Sequence, residues 1–196
     1  MSNVAIIKYN GGNGESVLWA LERLGASACW TNDVEQIKKA DHVIFPGVGH
    51  AKSALANLRA SGLDRVIPHL RQPVLGICLG MQLLCSSTEE GDCKGYGIFP
   101  MAVKKFAPEL KVPHMGWNLL SDIQSPLLSD LPREPYAYFL HSYYVESSPY
   151  TVAFTDYGIP FSAAVQVRNF SGVQFHPEKS GAIGEKILSN FLEQRP

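Results

Sequence analysis

Residues Pro73 to Gln82 read Pro-Val-Leu-Gly-Ile-Cys-Leu-Gly-Met-Gln, an apolar run of strand length that meets a cysteine between glycines and continues in a helical pattern. That order predicts a strand, a sharp turn and a helix, the thiol counterpart of the Gly-x-Ser-x-Gly elbow in which a nucleophile sits exposed on a strained turn. Gly76 and Gly80 suit positions where backbone segments come too close for a Cβ. A helix N-terminus favours negative charge, so it lowers a thiol pKa from its free value of about 8.5 and raises the thiolate fraction. Cys78 is therefore a candidate nucleophile. The pentapeptide alone is equally compatible with a small buried cysteine, the commonest fate of that residue.

The chain before this elbow alternates between the two periods. Val4 to Ile7 is a continuous apolar run, and beyond the glycine-rich Asn10-Gly11-Gly12-Asn13-Gly14 a helix is predicted with Val17, Leu18, Leu21 and Leu24 on one face. That loop has neither the Gly-x-Gly-x-x-Gly register nor a Lys-Ser/Thr pair, which argues against a nucleotide cradle. Ser27 to Thr31 gives a second strand, Asn32 with Glu35 reads as a capping box for a helix to Ala40, and His42 to Phe45 gives a third strand. Ala51 to Arg59, Leu63 to Leu70 and Leu79 to Ser86 read as helical. Strands alternating with helices predict an α/β fold with a central, mostly parallel sheet whose sites lie beyond the carboxyl ends of its strands. Pro46-Gly47-Val48-Gly49-His50 stands at such an end, either as a plain turn or as a loop presenting backbone N–H groups to an anion.

From Gly95 to about Asp156 short strands and proline-bounded turns predict an antiparallel extension, within which Pro113 to Asn118 is turn-like and offers His114, Met115 and Trp117. Core packing and a partner surface would both use such residues. Ala163 to Arg168 and Gly172 to Phe175 are expected to form a hairpin through Asn169-Phe170-Ser171. His176-Pro177-Glu178 follows; on an extended segment residues two apart share a side, which brings imidazole and carboxylate together. Ser180 to Leu192 is a closing helix with Ile183, Ile187, Leu188, Phe191 and Leu192 toward the core.

The 196 residues are expected to form one domain spanning 1–196. A net charge of −1 without a Lys/Arg run argues against a nucleic-acid surface and favours a small-molecule substrate. The four cysteines lack Cys-x-x-Cys spacing, so reduced thiols are expected rather than a metal site or disulfides, and no metal or cofactor is called for. No apolar run approaches a membrane span and Met1 leads into no signal-like segment, which makes a cytoplasmic protein without a membrane partner the expectation.

A thiol nucleophile needs a base, and the base needs a group to fix its tautomer. Of six histidines, His42 and His69 are ordinary; His50, His114 and His141 lie in or near turns and stay open as bases, but only His176 has a carboxylate two residues away on the same side. Cys78 as nucleophile, His176 as general acid/base and Glu178 as its orienter specify acyl transfer through a thioester. The Leu79 N–H and one N–H from Pro46 to Gly49 would stabilise the oxyanion, each donor typically worth about 10²–10³ in rate.

The elbow Gly76 to Gln82, the loop Pro46 to Gly49 and the run Gln174-Phe175-His176-Pro177-Glu178 resemble, in order and spacing, the class I (triad) glutamine amidotransferases. Pro113 to Asn118 and Tyr138 to Tyr143 further resemble the branch of that family that serves imidazole glycerol phosphate synthases, over essentially the whole chain. The resemblance implies hydrolysis of L-glutamine to glutamate and ammonia, with ammonia channelled to a (β/α)8-barrel cyclase subunit in a heterodimer. It implies that Gly49, Gln82, Glu90, Ser142 and Tyr143 hold glutamine, Glu90 through the α-ammonium with Glu89 the other candidate. It implies the oxyanion N–H of Val48 beside that of Leu79, and a partner-facing set of Asn13, His114, Met115, Trp117 and Asn118. The family's first loop usually reads Asp-Tyr-Gly-x-Gly-Asn, and Lys8 and Asn10 depart from it at contacts with the partner. A paralogue feeding a related barrel enzyme in surface-sugar synthesis, an idle subunit and a thiol peptidase are the competing readings.

Overall fold

A computed structural model describes residues 2–9 and 14–195. The expected calls on Asn10 and Asn13 lie outside them. In chain order the elements are β1 (Asn3–Ile7), α1 (Gly14–Arg23), β2 (Ser27–Thr31), α2 (Val34–Lys39), β3 (His42–Gly47), α3 (Ala51–Ala60), β4 (Val74–Cys78) and α4 (Leu79–Leu84). They continue as β5 (Cys85–Thr88), β6 (Cys93–Lys94), β7 (Phe99–Lys105), β8 (His114–Leu119), β9 (Tyr136–His141), β10 (Tyr143–Val145), β11 (Thr151–Asp156), β12 (Pro160–Val167), β13 (Phe170–Val173) and α5 (Gly181–Glu193).

The main sheet runs β11-β12-β13-β4-β3-β1-β2. Its β13-β4-β3-β1-β2 part is parallel, and β12 and β11 extend it antiparallel, as expected from the sequence. Period-2 alternation divides the strands between two cores. Val4, Ile6, Ile44, Leu75 and Ile77 face α1 and α5, while Ala5, Ile7, Val43, Phe45 and Val74 face α2, α3 and α4. Burial on both faces is why these strands read as continuous apolar runs rather than alternating ones. A second sheet, β10-β7-β5-β6, and a separate ribbon, β8-β9, lie beyond the end of α4.

Helix α4 packs on the sheet through glycine. A Cβ on Gly80 would stand 1.8 Å from the Phe45 carbonyl oxygen, and one on Gly76 would stand 2.9 Å from both Met81 N and Leu84 Cδ1. The helix backbone therefore lies directly against β3 and β4.

Several local expectations are corrected. Asp33 rather than Asn32 caps α2, its Oδ1 accepting from Glu35 N at 2.8 Å and Gln36 N at 3.0 Å. Residues 63–70 form two short 3-10 turns, since Pro68 cannot continue a helix hydrogen-bond ladder. Helix α4 stops at Leu84, because Cys85 to Thr88 pair as a strand with β7. That β5–β7 pairing is parallel, so the 95–156 region is mixed rather than uniformly antiparallel. The β12–β13 turn is Arg168-Asn169, with Arg168 at φ 55, so Phe170 and Ser171 belong to the strand. Pro113 to Asn118 is no turn, because β8 pairs with β9 from His114 to Leu119.

Gly80→Ala is expected to cost more than about 4 kcal/mol or to leave the protein insoluble, since strand and helix backbones would have to separate. Gly25→Ala, at φ +73 with open space around it, is expected to cost about 1 kcal/mol from backbone strain alone. Denaturant unfolding of the two variants checks the contrast.

Candidate active site

Cys78 ends β4, opposite Gly47 of β3, and begins α4. It takes φ 53 and ψ −110, a positive-φ conformation that costs a non-glycine residue roughly 1–3 kcal/mol and survives where the surroundings over-determine it. The glycine contacts of α4 supply that constraint. The thiol is nearly buried, with Leu140 O 3.7 Å from Sγ and the Gln174 amide nitrogen 3.6 Å from it.

His176 reaches the same thiol. Its Nδ1 donates to Glu178 Oε1 at 2.8 Å, and the ring hydrogen-bonds Cys78. Both side chains are 3% exposed. Burial by itself would lower the imidazole pKa; the charge and hydrogen bond of Cys78, then those of Glu178, outweigh it and raise His176 to about 10. The pairing arises differently from the expected extended geometry. Pro177 to Lys179 form a 3-10 turn with His176 as its N-cap, and the carboxylate folds back onto the ring. The turn is held by a closed set of hydrogen bonds: His176 N to Tyr138 O at 2.9 Å, Tyr138 N to Ser180 Oγ at 2.9 Å, and Ser180 Oγ to His176 O at 2.7 Å. Ser180 stands where a helix cap would be expected, yet its hydroxyl makes no capping bond to α5.

A cavity of about 300 Å³ opens beside the thiol. Val48, Gly49, Cys78, Leu79, Gln82, Glu90, Ser142, Tyr143 and His176 line it, which brings together the expected catalytic, oxyanion and binding positions apart from Glu178. Glu178 stands behind His176 instead. Pro113, from the segment expected at the partner surface, and His141, one of the histidines open as a base, also line the cavity, together with Leu140 and Lys179, on which the sequence bears no signal. Of the two adjacent glutamates, Glu90 faces the cavity and accepts from Ala51 N at 2.8 Å. Glu89 turns away to Lys104, 3.4 Å distant, and to Lys105 N at 2.8 Å.

Gln82 is fixed by both of its amide hydrogens, which go to Tyr143 O at 2.9 Å and Gln174 Oε1 at 2.9 Å. What it offers the cavity is its carbonyl oxygen. Above β3, Gly49 has φ +93 and Tyr9 donates from its hydroxyl to Pro46 O at 2.9 Å, which ties the loop base to the segment that follows β1.

The expected partner-facing residues divide. Met115 and Trp117 project outward, 65% and 56% exposed, beside exposed Tyr136 and Leu140. His114 points inward and is buried, stacked between Phe139 and Tyr157, while Asn118 is half-buried and donates to Asp156 O at 2.9 Å. The reason is strand alternation, which a turn would not have imposed. Lys8 lies over the Trp30 ring at 5.0 Å. His50 caps α3, and His42 meets Gln194 O at 3.0 Å, so neither belongs to the cavity.

Residues 6–195 match the family model described as glutamine amidotransferase class-I. The imidazole glycerol phosphate synthase subunit HisH of Bacteroides fragilis (strain YCH46) is 57% identical over 193 residues, covering 97% of this chain and 98% of its own. The subunit of the same name from Pasteurella multocida (strain Pm70) is 46% identical over 195 residues, covering 98% of each. A crystal structure of a glutamine amidotransferase superposes with a TM-score of 0.76 at 18% identity over 97% of both chains, a likeness of fold. By a family match across nearly its whole length and by relatives of this identity, the chain belongs to the class I glutamine amidotransferases.

Proposed function

We propose that this chain is the glutaminase subunit of an imidazole glycerol phosphate synthase, acting as one catalytic domain in the cytoplasm and forming a heterodimer with a barrel-shaped cyclase subunit in histidine biosynthesis. The observation that carries the chemistry is the buried Cys78–His176–Glu178 array at the wall of a cavity that Glu90 also lines. The names of the relatives carry the pathway.

In this reading glutamine enters with its side-chain amide at Cys78 and its α-ammonium at Glu90. A cavity of about 300 Å³ suits a free amino acid, at the low end of small-molecule sites. With its pKa raised to about 10, His176 already holds the proton of the thiol, and Glu178 keeps the ring's Nδ1–H toward itself, leaving the other nitrogen for proton transfer to the substrate. The thiolate adds to the amide carbon, and the N–H groups of Leu79 and Val48 receive the developing oxyanion. Collapse of the adduct breaks the C–N bond, His176 protonates the leaving nitrogen, and ammonia departs. Water, deprotonated by the now neutral His176, then cleaves the thioester to glutamate and leaves the thiolate beside the reprotonated ring. The exposed apolar face of the ribbon, Met115, Trp117, Tyr136 and Leu140, is the surface proposed for the cyclase, with Leu140 bordering the cavity as well.

Cys78→Ala is expected to reduce glutamine-dependent turnover of the complex by about 10³-fold or more while ammonium salt still drives the cyclase. Loss of both activities would sink the assignment; stimulation of glutaminase turnover by the cyclase subunit is the companion measurement. Glu90→Gln is expected to raise KM for glutamine about tenfold or more, whereas Glu89→Gln stays within about twofold. Equal effects in steady-state kinetics would remove Glu90 from the role.

The third expectation concerns pH. His176 is raised from 6.5 to about 10, so its contribution to stability is complete below pH 6.5 and is lost as pH rises through about 10. Glu178→Gln removes one of the groups that raise it. The melting temperature of the wild type should therefore fall relative to Glu178→Gln as pH is taken from about 6.5 to about 10, and parallel curves would contradict the assigned ion pairing.

A further inference from the structure

Two buried histidines take no part in the chemistry above. His114 and His141 stand opposite each other on β8 and β9, with His114 Nδ1 2.9 Å from His141 Nε2. At one end His141 Nδ1 lies 2.7 Å from Tyr143 O, and at the other Asn118 Nδ2 lies 3.2 Å from His114 Nε2. The rings sit among Phe106, Phe139, Tyr157 and Phe161. Burial lowers both, His114 to about 4 and His141 to about 3, so each carries a single ring proton near neutral pH.

Those contacts allow one proton order. A carbonyl only accepts, so His141 must donate from Nδ1, which leaves Nε2 as an acceptor. His114 must then donate from Nδ1 and accept at Nε2, where Asn118 supplies an amide hydrogen. The chain runs Asn118 to His114 to His141 to Tyr143 O. It ends on a carbonyl that also accepts from Gln82 at 2.9 Å, so both lone pairs of Tyr143 O are used. Gln82 in turn donates to Gln174, whose amide nitrogen lies 3.6 Å from Cys78 Sγ.

We infer that His114 and His141 are positioning residues which hold the Tyr143 carbonyl, and through it Gln82 and the segment Ser142–Tyr143, in the arrangement that captures glutamine. The inference rests on the glutaminase reading. Aromatic or aliphatic side chains could fill the same space without desolvating two imidazoles, and would leave the Tyr143 peptide held from the Gln82 side alone. The pair acts chiefly on capture of the substrate: it makes no hydrogen bond to His176 or Glu178, and its link to the thiol runs through Gln82 and Gln174 to a contact of 3.6 Å.

The test compares two reagents for Cys78 in the complex with its cyclase subunit: a diazoketone analogue of glutamine, which must be held by the cavity, and iodoacetamide, which need not be. His141→Leu is expected to raise the analogue concentration for half-maximal inactivation about tenfold or more, as for one lost buried hydrogen bond. Alkylation by iodoacetamide should stay within about twofold. His141→Asn, whose amide nitrogen can stand where Nδ1 stood, should recover most of the affinity. His114→Phe, which keeps a ring between Phe139 and Tyr157, should give an intermediate rise of about threefold and decides the matter if His141→Leu does not fold. Parallel slowing of both reagents, an Asn variant no better than Leu, or unchanged affinity in His114→Phe and His141→Leu would each overturn the inference. A wild-type complex that the analogue does not inactivate saturably would instead overturn the glutaminase reading, and this inference with it.

Discussion

The contact of Gly80 with the Phe45 carbonyl is the constraint from which the rest of the site follows. It lets α4 lie against β3 at backbone distance, and the chain turns from β4 into α4 through the positive-φ conformation of Cys78. That conformation puts the thiol at the end of the strand, beside the Val48-Gly49 loop that follows the neighbouring strand. An apolar residue at position 80 would relieve nothing by burying more surface. The gain of roughly 0.8 kcal/mol per methylene is small against a heavy-atom overlap of this size.

Around that fixed thiol the electrostatics are arranged in two contrasting ways. His176 is buried beside a thiol and a carboxylate, which hold the imidazolium against the burial that opposes it. His114 and His141 are buried among aromatic rings, and that burial holds them as neutral imidazole even though the Tyr143 carbonyl pulls His141 the other way. The same side chain is thus used once as a charge carrier and twice as a directional dipole, and its neighbours decide which. Backbone bonds from Tyr138 and the Ser180 hydroxyl fix the first; a pure acceptor at Tyr143 fixes the second.

How much of this was legible depended on the range of the interactions. The elbow could be read because its strand, glycines and helix are contiguous, and the parallel sheet because its strands are buried on both faces. The association of His176 with Glu178 was legible for an incomplete reason. Closeness in sequence brings them together, but through a 3-10 turn rather than an extended segment. Ser180 could not be read, since a serine at the start of a helix signals a cap, and its actual partners are 42 residues away at Tyr138 and four residues back at His176. Tertiary pairing likewise ends α4 early and makes a strand of His114 to Leu119, which reverses the side on which His114 is expected. The role-bearing choice between Glu89 and Glu90 was unreadable for the same reason: it is made by Ala51 and Lys105, neither a sequence neighbour.

The ribbon of β8 and β9 has two faces that alternate residue by residue. Tyr136 and Leu140 are turned outward, while Ala137, Phe139 and His141 are turned to the interior. Insertion or deletion of one residue within β9 would exchange those sets, setting apolar surface into the core and the imidazole into solvent. The ribbon can therefore change over evolutionary time by replacing side chains but not by changing its length. Its outer face is free to drift with whatever it meets, while its spacing is held by the interior it shares with the thiol.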